Sequence, residues 1–262
     1  MVIVLGLGFT GRRLARRLVG CGEQVFAAVR GVDRFRDLAG AGVELTELEA
    51  GASGMPRQAI LAHLIPPLPE PGNAALHEMI EALEPRRVVY VSSTGVYGDQ
   101  LNVDATTTVQ PTDERGRKRL EEERWITSQR WSSLVLRAAA IYGPGRGVHV
   151  ALREGKVPRG IGSGMVSRIH VEDLAALIDA GIHSDLEGAW PVADDDPCST
   201  DAITDWCAER FGIVDFVRSG AGPSIPGRKV DSTMIRAKLG VNLQYPSWRT
   251  GIPASLQEEE KS

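Results

Sequence analysis

The chain has 262 residues, 42% of them apolar, and a formal net charge of −4 at pH 7. That is ample material for a buried core in one or two domains, and a slightly acidic balance gives no reason to expect a nucleic acid partner. No apolar run approaches the roughly 18 residues of a membrane helix. The start, MVIVLG, lacks the basic leader and cleavage site of a secretory signal, so a cytoplasmic protein is expected. Cys21, Cys198 and Cys207 form no C-x-x-C pair, and the histidines show no metal-binding spacing, so neither a disulfide framework nor a metal site is expected.

In chain order, residues 2–5 (VIVL), 24–29 (QVFAAV), 59–65 (AILAHLI), 87–91 (RVVYV) and 133–136 (SLVL) are short apolar runs suited to strands buried on both faces of a parallel sheet. Helical patterns over 10–19, 73–83 and 114–128 fall between them. In the first, Leu14, Ala15, Leu18 and Val19 share one face while Arg12, Arg13, Arg16 and Arg17 take the other. Strand alternating with helix predicts an α/β protein, a Rossmann-type doubly wound parallel sheet with right-handed crossovers. Between 43–45 (VEL) and 59–65 only about a dozen residues remain, with Gly51, Gly54 and Pro56 among them, which predicts a loop or single turn as that crossover. Beyond residue 142 the texture changes to Gly-Pro-rich loops (143–147, 158–164, 220–227) and two amphipathic helices (171–182, 199–211), the composition of a smaller C-terminal lobe. The tail QEEEKS predicts a frayed, solvated end.

The first strand runs into GLGFTG, placing Gly6, Gly8 and Gly11 between a strand and the mouth of a helix. In that context a G-x-G-x-x-G signals a dinucleotide cradle: Gly6 for the tight turn, Gly8 for approach of the pyrophosphate, Gly11 for close helix packing. Free backbone N–H groups at the helix start, around Phe9 and Thr10, would meet the anion. The second strand ends at Arg30, where a carboxylate usually meets a free ribose 2′-hydroxyl and an arginine favours a 2′-phosphate. Arg30 therefore predicts NADP, and Asp33 three residues on keeps NAD possible.

With GLGFTG at the start, VVYVSSTGVYGD at 88–99, LRAAAIYGPGR at 136–146 and SRIHVEDLA at 167–175, the chain resembles the NAD-dependent epimerase/dehydratase family of extended short-chain dehydrogenase/reductases. The resemblance implies a Rossmann domain over 1–142, completed by a return strand near 188–194, and a substrate-binding lobe over 143–262 that in many members holds a nucleotide-linked sugar. It places Ser93 at the hydroxyl that holds the substrate oxygen and Ser92 on the nicotinamide side. Leu64, Ile65 and Pro66 fall where the family touches the adenosine ribose and pyrophosphate, and Tyr142, Gly143 and Pro144 in a loop closing beside the nicotinamide. His170, at a helix start, is read as structural, and Trp190, Trp206 and Trp248 as core or lobe-interface residues. A homodimer through the helices after the fourth and fifth strands is a further implication.

The family's catalytic Tyr-x-x-x-Lys falls on Arg115 and Arg119 in the best register. Arginine stays charged, with a pKa above about 12, so Arg115 can stabilise an oxyanion or grip a carboxylate but cannot shuttle a proton. The expected protein is thus an atypical member that binds NADP and reduces or epimerises a small, anionic or nucleotide-linked substrate, its proton coming from water, Tyr142 or Tyr97. The alternative is a catalytically inactive NADP-binding sensor or scaffold. The surrounding run, ERGRKRLEEE at 114–123, sets cations early in the helix and carboxylates late, against the helix dipole, with i,i+4 pairs Arg117–Glu121, Lys118–Glu122 and Arg119–Glu123 expected in the weaker order. An anion in the adjoining crevice would account for that placement.

Overall fold

A computed structural model describes residues 1–155, 164–212 and 227–261. In chain order its elements are β1 (Val2–Leu5), α1 (Phe9–Gly20), β2 (Val25–Val29), α2 (Arg36–Gly40), β3 (Val43–Glu47), β4 (Ile60–His63), α3 (Gly72–Leu83), β5 (Arg87–Ser93), β6 (Asn102–Val103), α4 (Glu114–Thr127) and β7 (Ser132–Ala138). The chain continues through β8 (Ala140–Tyr142), α5 (Val148–Arg153), β9 (Met165–Val166), β10 (Arg168–His170), α6 (Val171–Ile182), β11 (Gly188–Val192), β12 (Cys198–Ser199), α7 (Thr200–Phe211), β13 (Lys229–Val230), α8 (Thr233–Leu239) and α9 (Trp248–Glu259).

The central sheet has seven strands in the order β11-β7-β5-β4-β1-β2-β3, every neighbouring pair parallel. The chain winds outward from β1 to β3, returns to β4 beside β1, and winds outward again, so a crevice opens at the carboxyl ends of β1 and β4. Successive side chains of a strand take opposite faces, and β1 divides accordingly. Val2 and Val4 join the core under α1 and α6, whereas Ile3 and Leu5 join the core under α3 and α4. Burying each such side chain stabilises the fold by about 1.5–3 kcal/mol, which is why continuously apolar strands settle between two helical layers.

The predicted β-strands and long helices are present, and β11 is the return strand, paired with β7 from Gly188↔Leu134 to Val192↔Ala138. The short crossover before β4 contains a 3-10 turn at Leu48–Ala50 and no α-helix. The loops predicted at 158–164 and 220–227 lie outside the described residues except for Gly164 and Gly227. The tail corrects the expectation of a frayed end: α9 runs to Glu259, whose carboxylate accepts from the Gly145 N–H at 2.7 Å and pairs with Arg153.

The largest departure from the sequence reading concerns α4. Its expected i,i+4 pairs do not form. Lys118 turns back to Glu114 at 2.8 Å, the favourable order, and Asp113 caps the helix by accepting from the Gly116 N–H at 2.6 Å. Glu122 and Glu123 face the sheet, each only 3% exposed. Glu123 receives Arg137 of β7 at 2.7 and 3.1 Å, and Arg137 also donates to the Tyr97 hydroxyl at 3.1 Å. Glu122 meets His77 at 2.9 Å, His63 at 3.3 Å and Asn73 at 3.3 Å. Burial opposes its ionisation, but the hydrogen bonds and charge of His63 and His77 outweigh that and bring its pKa to about 2. At Gly116 a Cβ would lie 2.8 Å from the Gly95 carbonyl oxygen, so the helix start presses against the turn that follows Ser93.

Breaking a buried ion pair by removing one partner leaves the other charge uncompensated and costs about 3–5 kcal/mol. Glu123→Ala is therefore expected to lower unfolding free energy by about that amount in urea titrations, whereas Glu121→Ala, on the exposed face, changes it by no more than about 0.5 kcal/mol.

Candidate functional site

Between β1 and α1 the three cradle glycines answer to different demands. Gly6 has φ 97°, and a Cβ there would lie 3.0 Å from Ile65 Cγ1 and 3.2 Å from the Ile65 nitrogen. A Cβ on Gly11 would lie 2.0 Å from the Gly6 carbonyl oxygen, so backbone meets backbone at the helix start. At Gly8 a Cβ would meet nothing within 4 Å. Two glycines are thus required by packing, while the middle one borders open space. Gly8 caps α1 without a side-chain hydrogen bond, and the first turn holds no acidic residue, so the leading N–H groups at Phe9 and Thr10 are left for an external anion. Thr10 is buried, and the guanidinium groups of Arg13 and Arg146 lie 4.4 and 5.3 Å from the Phe9 ring centre.

Leu64, Ile65 and Pro66 follow β4 directly, and the Leu64 N–H donates to the Leu5 carbonyl at 2.9 Å, which brings this stretch against the cradle as expected. On the other side Arg30 stands exposed at the end of β2, with no hydrogen bond or ion pair among the described residues. Asp33 is engaged by Arg36 at 2.6 Å. A carboxylate that the sequence reading missed also stands here: Glu47, last in β3, accepts from the Gly31 N–H at 2.9 Å and the Val32 N–H at 3.0 Å.

At the end of β5, Ser92 is 3% exposed and its hydroxyl has no hydrogen-bond partner among the described residues. The Ser93 hydroxyl accepts from the Gly95 N–H at 3.2 Å and caps the 3-10 turn Thr94–Tyr97. Arg228 clamps that turn from the far end of the chain, donating to the carbonyls of Thr94 at 2.6 Å, Gln100 at 3.2 Å and Gly98. Nothing in the local sequence marks Arg228, because its partners are backbone oxygens on a loop more than a hundred residues away.

Arg115 and Arg119, one helical turn apart, part company. Arg115 is exposed, whereas Arg119 is half-buried and donates from Nη1 to the Val91 carbonyl and the Tyr90 hydroxyl, both at 3.1 Å. The two tyrosines expected to serve as proton sources are enclosed. Tyr97 is 1% exposed and accepts from Arg137; burial raises its pKa although Arg137 pulls the other way. Tyr142 is 4% exposed, packed with Trp248 and Ile252 in the C-terminal core, and its hydroxyl lies so close to α9 that a Cβ on Gly251 would touch it. Burial, reinforced by the Asp194 charge, raises its pKa as well. The next residue points the opposite way: a Cβ on Gly143 would meet Val171 at 2.6 Å and Phe9 at 3.3 Å, so the backbone of the 142–144 run, rather than the tyrosine ring, borders the cradle. His170 is structural, its Nδ1 accepting from the Glu172 N–H at 3.3 Å and its Nε2 beside the Ser255 hydroxyl at 3.1 Å; burial lowers its pKa to about 3.

Among the described residues no cluster of His, Cys, Asp or Glu has metal-binding geometry, and no helix is long and apolar enough to cross a membrane. The α1 N-terminus at the β1–β4 crevice is open to an anion, and the hydroxyl of Ser93 and the guanidinium of Arg119 lie at the end of the neighbouring strand β5.

A scan against described protein families finds no match. A reductase of Streptomyces sp., 3-diazoavenalumate denitrifying reductase, is 30% identical over 151 residues, half of this chain and half of that protein's length. Protein YeeZ of Escherichia coli K12 is 26% identical across 94% of this chain and 96% of its own. Among solved structures, a conserved protein of unknown function from Silicibacter pomeroyi is 33% identical, with TM-score 0.82 over 99% of both chains. A protein from Methylobacillus flagellatus, provisionally described as an NAD-dependent epimerase/dehydratase, is 27% identical with TM-score 0.77 over 99% of this chain and 98% of that one. With the glycine cradle, the serine pair at the end of β5 and the strand order all in place, the chain resembles the NAD-dependent epimerase/dehydratase family of extended short-chain dehydrogenase/reductases.

Proposed function

We propose that this protein binds a nicotinamide dinucleotide in the Gly6–Gly11 cradle, with NADP preferred, and acts on a small anionic or nucleotide-linked substrate as an atypical reductase or epimerase. The observation that carries the reading is the cradle itself: packing forbids a side chain at Gly6 and Gly11, while Gly8 leaves its side open above an uncapped helix end. These residues fit a pyrophosphate. When bound, the dinucleotide would supply or accept hydride. The carbonyl or alcohol that exchanges it would be oriented by the Ser93 hydroxyl, which keeps a hydrogen to donate while its oxygen accepts from Gly95. Arg119 keeps Nε and Nη2 for a ribose or a substrate oxygen, and the exposed Arg115 offers a permanent positive charge to a carboxylate or phosphate.

Proton transfer is the departure from the family's ordinary chemistry. Neither Tyr97 nor Tyr142 is positioned to give up a proton to the crevice, and neither arginine can, so water is the proposed donor. A missing positioned acid typically lowers rate by about 10²- to 10⁴-fold, so slow turnover is compatible with this site. The enclosure of both hydroxyls is also what would favour a non-catalytic, cofactor-sensing role, the second reading.

Three measurements test these readings. Because Gly8 has an ordinary negative φ and open space around it, Gly8→Ala is expected to leave the melting temperature within about 1 °C and to weaken NADPH binding by at least about tenfold in a fluorescence titration; undiminished binding would remove the cradle. Arg30→Ala should weaken NADPH by about tenfold more than NADH, and equal losses would end the argument for NADP. If the protein turns over, Ser93→Ala should lower kcat by about 10²-fold or more with cofactor affinity kept; consumption of NADPH that is insensitive to this change, or absent from the unmodified protein against a panel of carbonyl and nucleotide-sugar substrates, supports the non-catalytic reading.

A further inference from the structure

The dinucleotide reading leaves a question at the ribose end of the cradle, where β2 ends in a cation instead of a carboxylate. We propose that Glu47, from the neighbouring strand β3, is a specificity-determining residue: its carboxylate supplies the acceptor for a ribose 2′-hydroxyl that β2 lacks, and by repelling a 2′-phosphate it works against Arg30.

The placement follows from the sheet. Val29 and Glu47 are partners in the parallel β2–β3 register, so Glu47 leaves its strand beside the residue before Arg30. Its side chain folds toward β2, and its two oxygens accept separately from the N–H groups of Gly31 and Val32, the two residues after Arg30. Gly31 makes this possible by adopting φ 76° and ψ 81°, which turns consecutive N–H groups toward the same anion. The carboxylate is thereby fixed at the strand end where this fold meets the adenosine ribose.

An ionised carboxylate has about four acceptor positions. Two are used on Gly31 and Val32, which leaves capacity on each oxygen for a sugar hydroxyl. Hydrogen bonds from Val32 and then Gly31 hold the Glu47 pKa below its ordinary value, so the group is anionic at neutral pH. The competing carboxylate, Asp33, is 85% exposed along its side chain and engaged by Arg36. Glu47 and Arg30 carry opposite charges on adjacent strands, yet no ion pair joins them among the described residues. Each remains available to a ligand: the cation to a 2′-phosphate, the anion to a 2′-hydroxyl. Selectivity is then a difference between an attractive and a repulsive element.

The inference rests on the dinucleotide reading, and one set of titrations separates the two. NADH and NADPH are titrated by fluorescence into the full chain and into Glu47→Gln, with 5′-AMP and 2′,5′-ADP as competing probes that report the adenosine end alone. Removing the charge is expected to shift the NADPH-over-NADH affinity ratio toward NADPH by about tenfold, and the shift should shrink in 0.5 M salt as screening weakens the repulsion. A ratio that stays put, or equal losses for both dinucleotides, would mean that Glu47 only braces the loop and would overturn the proposal. Failure of the unmodified chain to bind either dinucleotide would overturn the cradle reading along with it. Glu47 is exposed, so the variant should fold; if its melting temperature falls, Glu47→Asp, which keeps the charge, should retain the original ratio.

Discussion

A backbone contact at the start of the first helix governs much of this molecule. The Gly6 carbonyl oxygen occupies the space where any side chain on residue 11 would begin, 2.0 Å from an ideal Cβ. That contact fixes how steeply α1 leaves β1, and with it the alignment of the helix end over the β1–β4 crevice. The consequences spread in both directions. Toward the core, Leu14, Ala15 and Leu18 are carried onto the sheet and against α6. Toward the crevice, Phe9 is set where the 142–144 run and Arg146 close upon it. A fold that forces two backbone segments together at this point also leaves N–H groups without internal partners, which is a structural liability unless an anion satisfies them.

On the other face the stabilising logic is electrostatic as well as apolar. α4 approaches the sheet with Glu122 and Glu123 buried, and each finds cationic or hydrogen-bond-donating partners on elements that the sheet has already fixed. Such groups contribute little net stability compared with an apolar replacement, but an unpaired one is costly, so the arrangement tolerates only one register of α4 against β5 and β7. This register presses Gly116 against the turn after Ser93, while Arg228 holds the same turn from the C-terminal side. Ser93 is positioned by these two remote constraints as much as by its own strand.

The parts of this architecture that were legible in the sequence are those with a local signature. Continuous apolar runs gave the strands, the 3.6-residue period gave α1 and α3, and G-x-G-x-x-G between a strand and a helix gave the cradle. The α4 surface was misread because its partners are not local: Glu123 pairs with a residue 14 positions away, and Glu122 with His63, 59 away. A signal was nevertheless present, since Arg137 interrupts the apolar run SLVLRA and a cation in a strand buried on both faces needs acceptors to satisfy it, of which a carboxylate on a covering helix is one source. Glu47 was overlooked for a related reason. Its neighbour across the sheet becomes evident only when β3 is recognised through its last residue, whereas the short run VEL suggested a strand ending two residues earlier. Arg228 had no such signal, and Tyr142 lay in a motif whose backbone, not its ring, faces the cradle.

Under the proposed function, Arg115 and Arg119 would stand where the related family carries its Tyr and Lys. A lysine in that position serves two purposes: it lowers the pKa of the catalytic phenol, and it holds a ribose. Without a phenol the first purpose would disappear, and a guanidinium could serve the second while anchored to the sheet. Its planar fork binds the Val91 carbonyl and the Tyr90 hydroxyl through one nitrogen and leaves two others without a hydrogen-bond partner among the described residues. Arg115, free of such anchorage, lies out in solvent as a charge that can follow a mobile anion. Under that reading the pair would divide what the Tyr and Lys do together, one residue fixed to the sheet and one reaching outward, and the proton is the part of the chemistry that neither could carry. A site built this way would favour substrates that bring their own negative charge and whose reaction does not depend on a strong internal acid, which narrows the proposed chemistry more than the fold does.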